Sequence, residues 1–497
     1  MIDTIVETAY GRVQGNKINE VYVWKGIPYA KPPIASLRFR PPVKPEAWEG
    51  IRNATEFSPV ASQTSSEVMN YLGNDISNMS EDCLYLNIWS PAADNKRRPV
   101  LVWIHGGAFV SGSGSSSWYD GESFATRGDV VVVTINYRLG ILGFLHLGEI
   151  GGQEYATSGN SGILDQVAAL EWIQENIEAF GGDPNRVTVF GESAGAMSIG
   201  VLLGMPSAKG LFQQAILQSG AARNAIPSSK ATKVAMKLLE ALNIDSSNLS
   251  QLENIPVEKL LEVSTLVPPM SLVPVIDGVS LPQNPELAIA NGSAKDVKIL
   301  IGTNKDEYNL FTAFDPLWKD ANQQTMSVIF EKTFGPLWPV MSKQLLNEEE
   351  ELSVGLYNQM MTMQIFTYPA IKLAEHQINQ GSPVWMYRFD WESPVLNGVL
   401  KAAHALEIPF VWNTLAKPNT ENITGSEANR QVVADQMHEV WIAFARYGNP
   451  STKSIPTWPE YNLENRATFI FNEESTLEMH PDNDLRGKWE KAISHFV

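Results

Sequence analysis

Residues 186–204, RVTVFGESAGAMSIGVLLG, combine three structural signals in one short run. RVTVF is typical of a buried strand, and the small and apolar residues that end the run are typical of a buried helix. Between them, GESAG (191–195) matches the Gly-x-Ser-x-Gly nucleophile elbow, a sharp turn that exposes the serine hydroxyl at a helix N-terminus. We interpret Ser193 as a candidate nucleophile. The alternative is a structural turn, because chance matches to this pattern are common in glycine-rich proteins.

The alternation of strand and helix signals extends to both sides of this run. Residues 162–182 repeat apolar side chains at helical spacing and predict a crossover helix. Strands that alternate with helices form parallel sheets, so we expect an α/β fold with a mostly parallel central sheet flanked by helices. The predicted strands are PVLVWI (99–104), VVVVTIN (130–136), RVTVF (186–190), QAILQ (214–218), VKILIG (297–302), VWMYRFD (384–390) and ATFIF (467–471).

Three stretches interrupt this alternation. Residues 226–265 and 318–380 have helical patterns, and we expect helical insertions around the active site there. The segment SGSGSSSWYD (111–120) has the composition of a flexible linker. Because it follows a strand and a glycine pair, an active-site loop is an equally good interpretation.

Composition excludes several classes of partner. The 497 residues include 55 acidic and 37 basic side chains, and the net charge of −18 repels nucleic acid and anionic lipid. No apolar run approaches the roughly 20 residues that span a bilayer, and MIDTIVETAYGRVQG (1–15) lacks the features of a secretory signal. We expect a cytoplasmic protein without membrane or nucleic-acid partners. The single cysteine, Cys83, excludes an intrachain disulfide and a cysteine-based zinc site, and we expect it to be buried.

A second motif follows the predicted strand PVLVWI. The residues HGGAF (105–109) are similar to the HGGG-type loop whose backbone N–H groups face the nucleophile in lipases and esterases. The N–H groups of Gly106, Gly107 and Ala194 are therefore the predicted donors of an oxyanion hole. Each such donor contributes on the order of 10²–10³ in rate. The alternative is a glycine turn without chemistry.

A serine nucleophile of this type needs a carboxylate and then a histidine later in the chain. His404 follows the predicted strand VWMYRFD by a loop and is the best-placed base. Asp306 and Glu307 both follow the predicted strand VKILIG, and their spacing does not choose between them. The other six histidines precede Ser193, lie in helical patterns or lie near the chain end: His105, His146, His376, His438, His480 and His495.

Together these motifs resemble one known family over nearly the whole chain, the type B carboxylesterases of the α/β-hydrolase fold, a branch that also contains the cholinesterases. KGIPYAKPP and the MYRFDWESP region are most similar to bacterial para-nitrobenzyl esterases from bacilli. We expect a single domain over residues 1–497, acting as a monomer without cofactor or metal. The matching blocks are WKGIPYAKPP (24–33), LRFRPP (37–42), SEDCLYLNIW (80–89), WIHGGAF (103–109), NYRLGILGFL (136–145), AFGGDPNRVTVFGESAGA (179–196), LQSG (217–220), IGTNKDE (301–307) and HALEIPFVW (404–412).

The resemblance implies a role for each site residue. Ser193 corresponds to the nucleophile, His404 to the base, and Glu307, rather than Asp306, to the acid. The oxyanion hole again falls at Gly106, Gly107 and Ala194. The supporting residues that it implies are Ser219 and Glu192 near the triad, and an arginine of LRFRPP paired with Glu81. Tyr308 departs from the glycine that many members carry after the acid, so we expect a different pocket wall there.

We therefore predict a serine carboxylesterase that splits carboxylic esters into acid and alcohol through an acyl-enzyme intermediate. The alternatives are a lipase acting on longer-chain acylglycerols and a non-catalytic cholinesterase-like binding protein, which the presence of all three triad residues disfavours. Residues 60–82 contain no tryptophan, and Cys83 has no second cysteine, so a choline specialist is not expected. Five residues near the motifs are candidates to line an apolar pocket, and core packing is an equal alternative for each. They are Phe109, Met270, Leu272, Phe311 and Phe314.

Overall fold

The computed structural model of the protein describes residues 4–319, 321–346 and 351–494. His495 lies outside these residues. The described strands are β1 Ile5–Thr8, β2 Gly11–Gln14, β3 Asn16–Ile18, β4 Val21–Pro28, β5 Ile51–Asn53, β6 Val60–Ala61, β7 Met79–Ser80, β8 Tyr85–Ser90, β9 Arg98–Ile104, β10 Val131–Ile135, β11 Gly182–Glu192, β12 Gln214–Gln218, β13 Ile226–Pro227, β14 Val275–Ile276, β15 Lys298–Asn304, β16 Val384–Phe389, β17 Thr468–Phe471 and β18 Thr476–Glu478.

The described chain also contains 18 α-helices. None of the described helices is both long enough and apolar enough to cross a membrane. A π-helical turn, Met363–Thr367, lies between the helices Val354–Thr362 and Tyr368–Asn379. The described α-helices are α1 Glu67–Tyr71, α2 Glu122–Gly128, α3 Gly140–Phe144, α4 Gly148–Gly151, α5 Ser161–Asn176, α6 Ala194–Gly204, α7 Ser228–Ala241, α8 Val257–Ser264, α9 Pro285–Ala290, α10 Asn309–Ala313, α11 Gln323–Phe334, α12 Trp338–Leu345, α13 Val354–Thr362, α14 Tyr368–Asn379, α15 Ile408–Trp412, α16 Glu421–Thr424, α17 Arg430–Tyr447 and α18 Asn483–Ile493.

An 11-stranded sheet organises the fold, in the order β18-β17-β16-β15-β12-β11-β9-β10-β8-β4-β3. The seven neighbours from β17 to β10 run parallel, whereas β18 at one edge and β8, β4 and β3 at the other are antiparallel to their neighbours. Since the carboxyl ends of parallel strands meet at one edge, the loops after β9, β11, β15 and β16 come together there.

The central strands are buried on both faces because helices cover the sheet on both sides. Every residue of β9 is buried, as expected of a parallel strand in this position. Val100 and Val102 pack into the core shared with α5 and α6, whereas Leu101 and Trp103 point to the other face and pack into the core shared with α2 and α17. This period-2 alternation places a separate hydrophobic core on each face.

The predicted α/β fold is confirmed. The seven predicted strands correspond to β9, β10, β11, β12, β15, β16 and β17, and the predicted crossover helix corresponds to α5. Residues 226–265 contain α7 and α8, and the described part of 318–380 contains α11 to α14. The antiparallel strands β3, β4 and β8 were not predicted. The pairing of β4 with β8 is broken by an irregularity between Trp24 and Ile27, and such interruptions weaken the periodicity of a strand.

A buried ion pair joins the loop after β10 to α5. The Arg138 guanidinium and backbone N–H make three hydrogen bonds of 2.6 to 3.0 Å to the Asp165 carboxylate. Another guanidinium nitrogen donates to the Arg40 carbonyl oxygen at 2.8 Å. The side chains of Arg138 and Asp165 are 3% and 0% exposed. Removing either charge would leave the other buried without its partner.

We expect the substitution Asp165→Asn to lower the free energy of unfolding by about 3–5 kcal/mol, the usual cost of breaking a buried ion pair. Urea denaturation followed by tryptophan fluorescence measures this change. The matched control is Glu262→Gln, which breaks the exposed contact of Glu262 with Lys259 and should change stability by less than about 1 kcal/mol. Equal effects of the two substitutions would contradict the role of Arg138 and Asp165.

Candidate active site

Ser193 lies on a strained turn between β11 and α6. Its φ of 55° and ψ of −124° are rare for a residue with a side chain. The turn is held by the Ser193 N–H, which donates to the Gln218 carbonyl oxygen at 2.9 Å. The neighbouring glycines are sterically required, because a Cβ on Gly195 would lie 1.9 Å from the Ile104 carbonyl oxygen and one on Gly191 would lie 2.6 Å from it.

His404 contacts Glu307 directly. Its Nδ1 lies 2.6 Å from Glu307 Oε2, and its backbone N–H donates to the Glu307 carbonyl oxygen at 3.1 Å. The other carboxylate oxygen of Glu307 accepts the Asn304 N–H at 2.8 Å, and Glu307 is fully buried. Asp306 instead lines a neighbouring cleft, where burial raises the pKa of its carboxyl group. Of the two acids that sequence spacing left open, Glu307 is therefore the one in contact with His404.

Two further carboxyl groups lie close to His404. Glu192 Oε1 is 3.1 Å from His404 Nε2, without the alignment of a hydrogen bond. Glu407 is buried and accepts hydrogen bonds from Gln218 Nε2 at 3.0 Å and Asn304 Nδ2 at 2.7 Å. Sequence reasoning missed Glu407, although its position three residues after His404 in HALEIPF was a usable signal.

These carboxyl groups control the protonation of His404. Burial opposes the charged imidazolium, but the negative charges of Glu192, Glu307 and Glu407 outweigh it and raise the pKa of His404 to about 9. Burial also raises the pKa of Glu192. When Glu192 is protonated it carries no negative charge and no longer helps to raise the pKa of His404. The hydrogen bond between His404 and Glu307 remains when Glu192 is protonated, so the pKa of His404 is still raised.

The supporting residues named from the sequence differ in their contacts. Arg38 is the arginine that pairs with Glu81, with Nε 2.6 Å from Oε2. Ser219 directly follows β12 and is fully buried, and its hydroxyl has no hydrogen-bond partner among the described residues. Cys83 is buried as expected, and burial raises the pKa of its thiol.

The HGGAF loop lies beside Ser193. A Cβ on Gly106 would be 3.0 Å from Ser193 Cβ, and Gly106, Gly107 and Ala108 line the same cavity as Ser193. Within the described chain, the N–H groups of these three loop residues donate to no protein acceptor. Ala194 is the first residue of α6, immediately after the serine. The Ala108 N–H was not among the predicted donors, although it is adjacent to them in the motif.

Ser193 and His404 line a mostly apolar cavity of about 410 Å³. The ring centres of Phe311 and Phe366 lie 5.3 and 4.8 Å from the ring centre of His404. Tyr308 lies on the wall, and residues of the 111–120 segment also contribute, which favours the active-site loop over a linker. None of the described lining residues is Lys or Arg. The remaining large apolar side chains on the wall are Val68, Met69, Leu72, Val110, Trp118, Tyr119, Met197, Met270, Leu310, Ile365 and Ile408.

The predicted pocket residues divide into two groups. Met270 and Phe311 line the cavity. Phe109, Leu272 and Phe314 do not, which corrects the expectation from their nearness to the motifs. Phe109 is fully buried against Phe144, at 5.2 Å between ring centres, and Leu272 belongs to the core. Phe314 contacts Tyr71 and lines the neighbouring cleft, which is larger, at about 1040 Å³, but contains neither Ser193 nor His404.

This fold, with a serine elbow and a histidine paired to glutamate at the carboxyl edge of the sheet, has the architecture of an α/β hydrolase. Residues 2–485 match the family model described as the Carboxylesterase family. The chain belongs to that family and is a carboxylic ester hydrolase.

Individual relatives agree with this assignment. The para-nitrobenzyl esterase of Bacillus subtilis (strain 168) is 42% identical over 500 residues, which cover 98% of this chain and 99% of the relative. The crystal structure of a Geobacillus stearothermophilus carboxylesterase at pH 6.2 is 46% identical, covers 98% of this chain and 100% of that chain, and has a TM-score of 0.89. Phenmedipham hydrolase of Pseudarthrobacter oxydans is 33% identical over 490 residues, 95% of each chain. The family resemblance inferred from the motifs is confirmed.

We expect the substitution Glu192→Gln to shift the acid limb of the pH profile of kcat/KM downward by about one pH unit. A base acts in its neutral form, and removing the Glu192 charge lowers the pKa of His404, so the neutral form survives to lower pH. Initial rates on a neutral ester between pH 5 and pH 10 measure the limb. The charge-matched control Glu240→Gln, at an exposed position of α7, should leave it in place. An upward shift, or no shift, in Glu192→Gln would contradict this electrostatic assignment.

Proposed function

We propose that the protein hydrolyses esters by ping-pong acyl transfer with Ser193 as the nucleophile. The Ser193 hydroxyl attacks the ester carbonyl while His404 takes its proton. The backbone N–H groups of Gly106, Gly107 and Ala194 hold the tetrahedral oxyanion. His404 then donates the proton to the departing alcohol oxygen, and the acyl group stays on Ser193.

Water completes the cycle by the same route. His404 takes a proton from the water molecule as it attacks the acyl carbonyl, and a second oxyanion forms in the same hole. Collapse of this intermediate releases the carboxylic acid and returns the proton to Ser193. Glu307 keeps the imidazole in the tautomer that leaves Nε2 free to accept a proton, and it stabilises the imidazolium that forms. The mechanism needs neither a metal nor a cofactor.

One observation carries this proposal. Ser193, on its strained elbow, lines the same 410 Å³ cavity as His404, whose Nδ1 lies 2.6 Å from Glu307 Oε2. A strained turn that presents a hydroxyl to a cavity, next to a histidine oriented by a buried carboxylate, has the geometry of an activated nucleophile. A purely structural serine would need none of these features.

We propose uncharged esters of small to medium size as the substrates. A cavity of 410 Å³ suits a drug-sized ester rather than a long-chain acylglycerol, which favours an esterase over a lipase. The wall has aromatic and aliphatic side chains, and its described residues include no Lys or Arg to pair with an acidic substrate. Para-nitrobenzyl esters are the first candidates, since a relative at 42% identity is named for them. The cytoplasmic location, the monomeric state and the single-domain organisation remain predictions.

Ser193→Ala is expected to lower kcat by at least about 10⁴-fold with the fold intact, by analogy with other triad knockouts. Steady-state hydrolysis of a para-nitrobenzyl ester and the circular dichroism spectrum measure activity and fold. An organophosphonate should label the unmodified protein at Ser193 in a one-to-one ratio and should leave Ser193→Ala unlabelled. Substantial hydrolysis by a folded Ser193→Ala variant would overturn the proposal.

The acid is tested by two substitutions at adjacent positions. Glu307→Gln should reduce kcat by about 10⁴-fold, because the amide favours the wrong tautomer of His404. Asp306→Asn, one residue away and facing the neighbouring cleft, should retain kcat within about threefold, because this side chain does not contact His404. Comparing the two kcat values under identical conditions provides the test. A greater loss in Asp306→Asn would reverse the assignment.

A further inference from the structure

The loop that carries the proposed oxyanion donors folds back on itself. Gly112 has a φ of +107°, and a Cβ there would lie 2.5 Å from the Gly106 carbonyl oxygen. Within the loop, the Gly107 carbonyl oxygen accepts the N–H groups of Val110 and Ser111, each at 3.0 Å. Because of this tight packing, a displacement of Gly112 would displace Gly106 and Gly107 as well.

The side-chain amide of Gln63 makes hydrogen bonds to both the N–H and the carbonyl oxygen of Gly112. Gln63 Oε1 accepts the Gly112 N–H at 2.8 Å, and Gln63 Nε2 donates to the Gly112 carbonyl oxygen at 2.9 Å. The two positions are 49 residues apart in the chain, so this is a tertiary contact. Gln63 is only 2% exposed, and burial keeps water from competing for these hydrogen bonds.

The Gln63 side chain is itself fixed by two other contacts. Its Nε2 also donates to the Ala61 carbonyl oxygen at 2.9 Å, and its Oε1 also accepts from Asn74 Nδ2 at 3.1 Å. Both donors and both acceptor positions of the amide are therefore used. Ala61 belongs to β6 and pairs with Ser80 of β7, so the amide is anchored outside the loop that it holds.

We infer that Gln63 is a positioning residue for ester hydrolysis, which fixes the loop so that the Gly106 and Gly107 N–H groups stay aimed at the oxyanion. The inference rests on the proposed function, because it takes these groups as the oxyanion donors. Gln63 does not line the cavity, so its proposed role is to hold the loop rather than to bind the ester. Its effect is on the transition state, since the donors bind the oxyanion more strongly than the ground-state carbonyl.

The substitution Gln63→Leu tests this role, because leucine fills similar space without making hydrogen bonds. We expect kcat for a para-nitrobenzyl ester to fall by roughly tenfold to a hundredfold, the usual effect of misplaced catalytic groups, with KM changed by less than about twofold. An aryl trifluoromethyl ketone is the second probe. Addition of Ser193 to its carbonyl leaves an oxyanion in the hole, so its inhibition constant should rise by about the factor by which kcat/KM falls.

The matched control is Gln377→Leu. Gln377 on α14 is also fully buried and donates from Nε2 to two backbone carbonyl oxygens, those of Ala294 at 2.6 Å and Val297 at 2.9 Å. It does not line the cavity. Its loss should lower the unfolding midpoint but leave kcat and the inhibition constant of the ketone unchanged. If Gln63→Leu also lowers only the midpoint, Gln63 is a purely structural residue and the inference is overturned.

A second variant covers the case in which Gln63→Leu does not fold. Gln63→Glu keeps the size of the side chain and an acceptor for the Gly112 N–H, but as a carboxylate it has no donor for the Gly112 carbonyl oxygen. It should lower kcat and weaken ketone inhibition in the same proportion. Unchanged values in folded Gln63→Glu would overturn the inference.

Failure of the proposed function would give a different pattern. In that case the ketone would not inhibit the unsubstituted protein, and Ser193→Ala would retain activity. Strong ketone inhibition of the unsubstituted protein, together with an inactive Ser193→Ala and an unaffected Gln63→Leu, would leave the proposed function intact and reject the role of Gln63 alone.

Discussion

The close approach of α6 to the end of β9 is the constraint on which the site depends. A single Cβ on Gly195 would lie 1.9 Å from the Ile104 carbonyl oxygen, so the helix reaches this position only with glycine there. The approach brings the Ser193 turn beside the loop that leaves β9. Since β15 and β16 end at the same edge of the parallel sheet, Glu307 and His404 lie at that edge too, and His404 lines the same cavity as Ser193.

The charges around His404 affect the proposed mechanism in two opposing ways. Three buried carboxyl groups surround His404, and none of the described residues that line the cavity is Lys or Arg. The arrangement stabilises the imidazolium that the proposed mechanism forms twice in each cycle. It also raises the pKa of His404 in the resting protein, which reduces the fraction of neutral base at a given pH. Stabilising the charged intermediate and keeping the base neutral are therefore opposing demands.

Much of the fold and the central part of the site could be predicted because their signals are local. Apolar runs at strand spacing identified β9 to β12 and β15 to β17, and glycine patterns identified both turns beside the nucleophile. The pocket wall was harder to predict. Phe109 and Met270 are both near motifs, but Phe109 is in the core and Met270 lines the cavity. The direction of each side chain depends on backbone geometry that nearness in the sequence does not encode.

The amino-acid sequence alone was sufficient for the parallel sheet, the serine elbow, the HGGAF loop and the family, since each follows from short-range pattern or from motif order. Sequence spacing left Asp306 and Glu307 as alternatives, and the folded chain brings Glu307, and not Asp306, to His404. The contacts of Glu407 with Asn304 and of Gln63 with Gly112 likewise became visible only in three dimensions. These contacts join residues that are 49 to 103 positions apart, and long-range pairs of this kind are set by packing of the whole sheet and its loops rather than by local sequence.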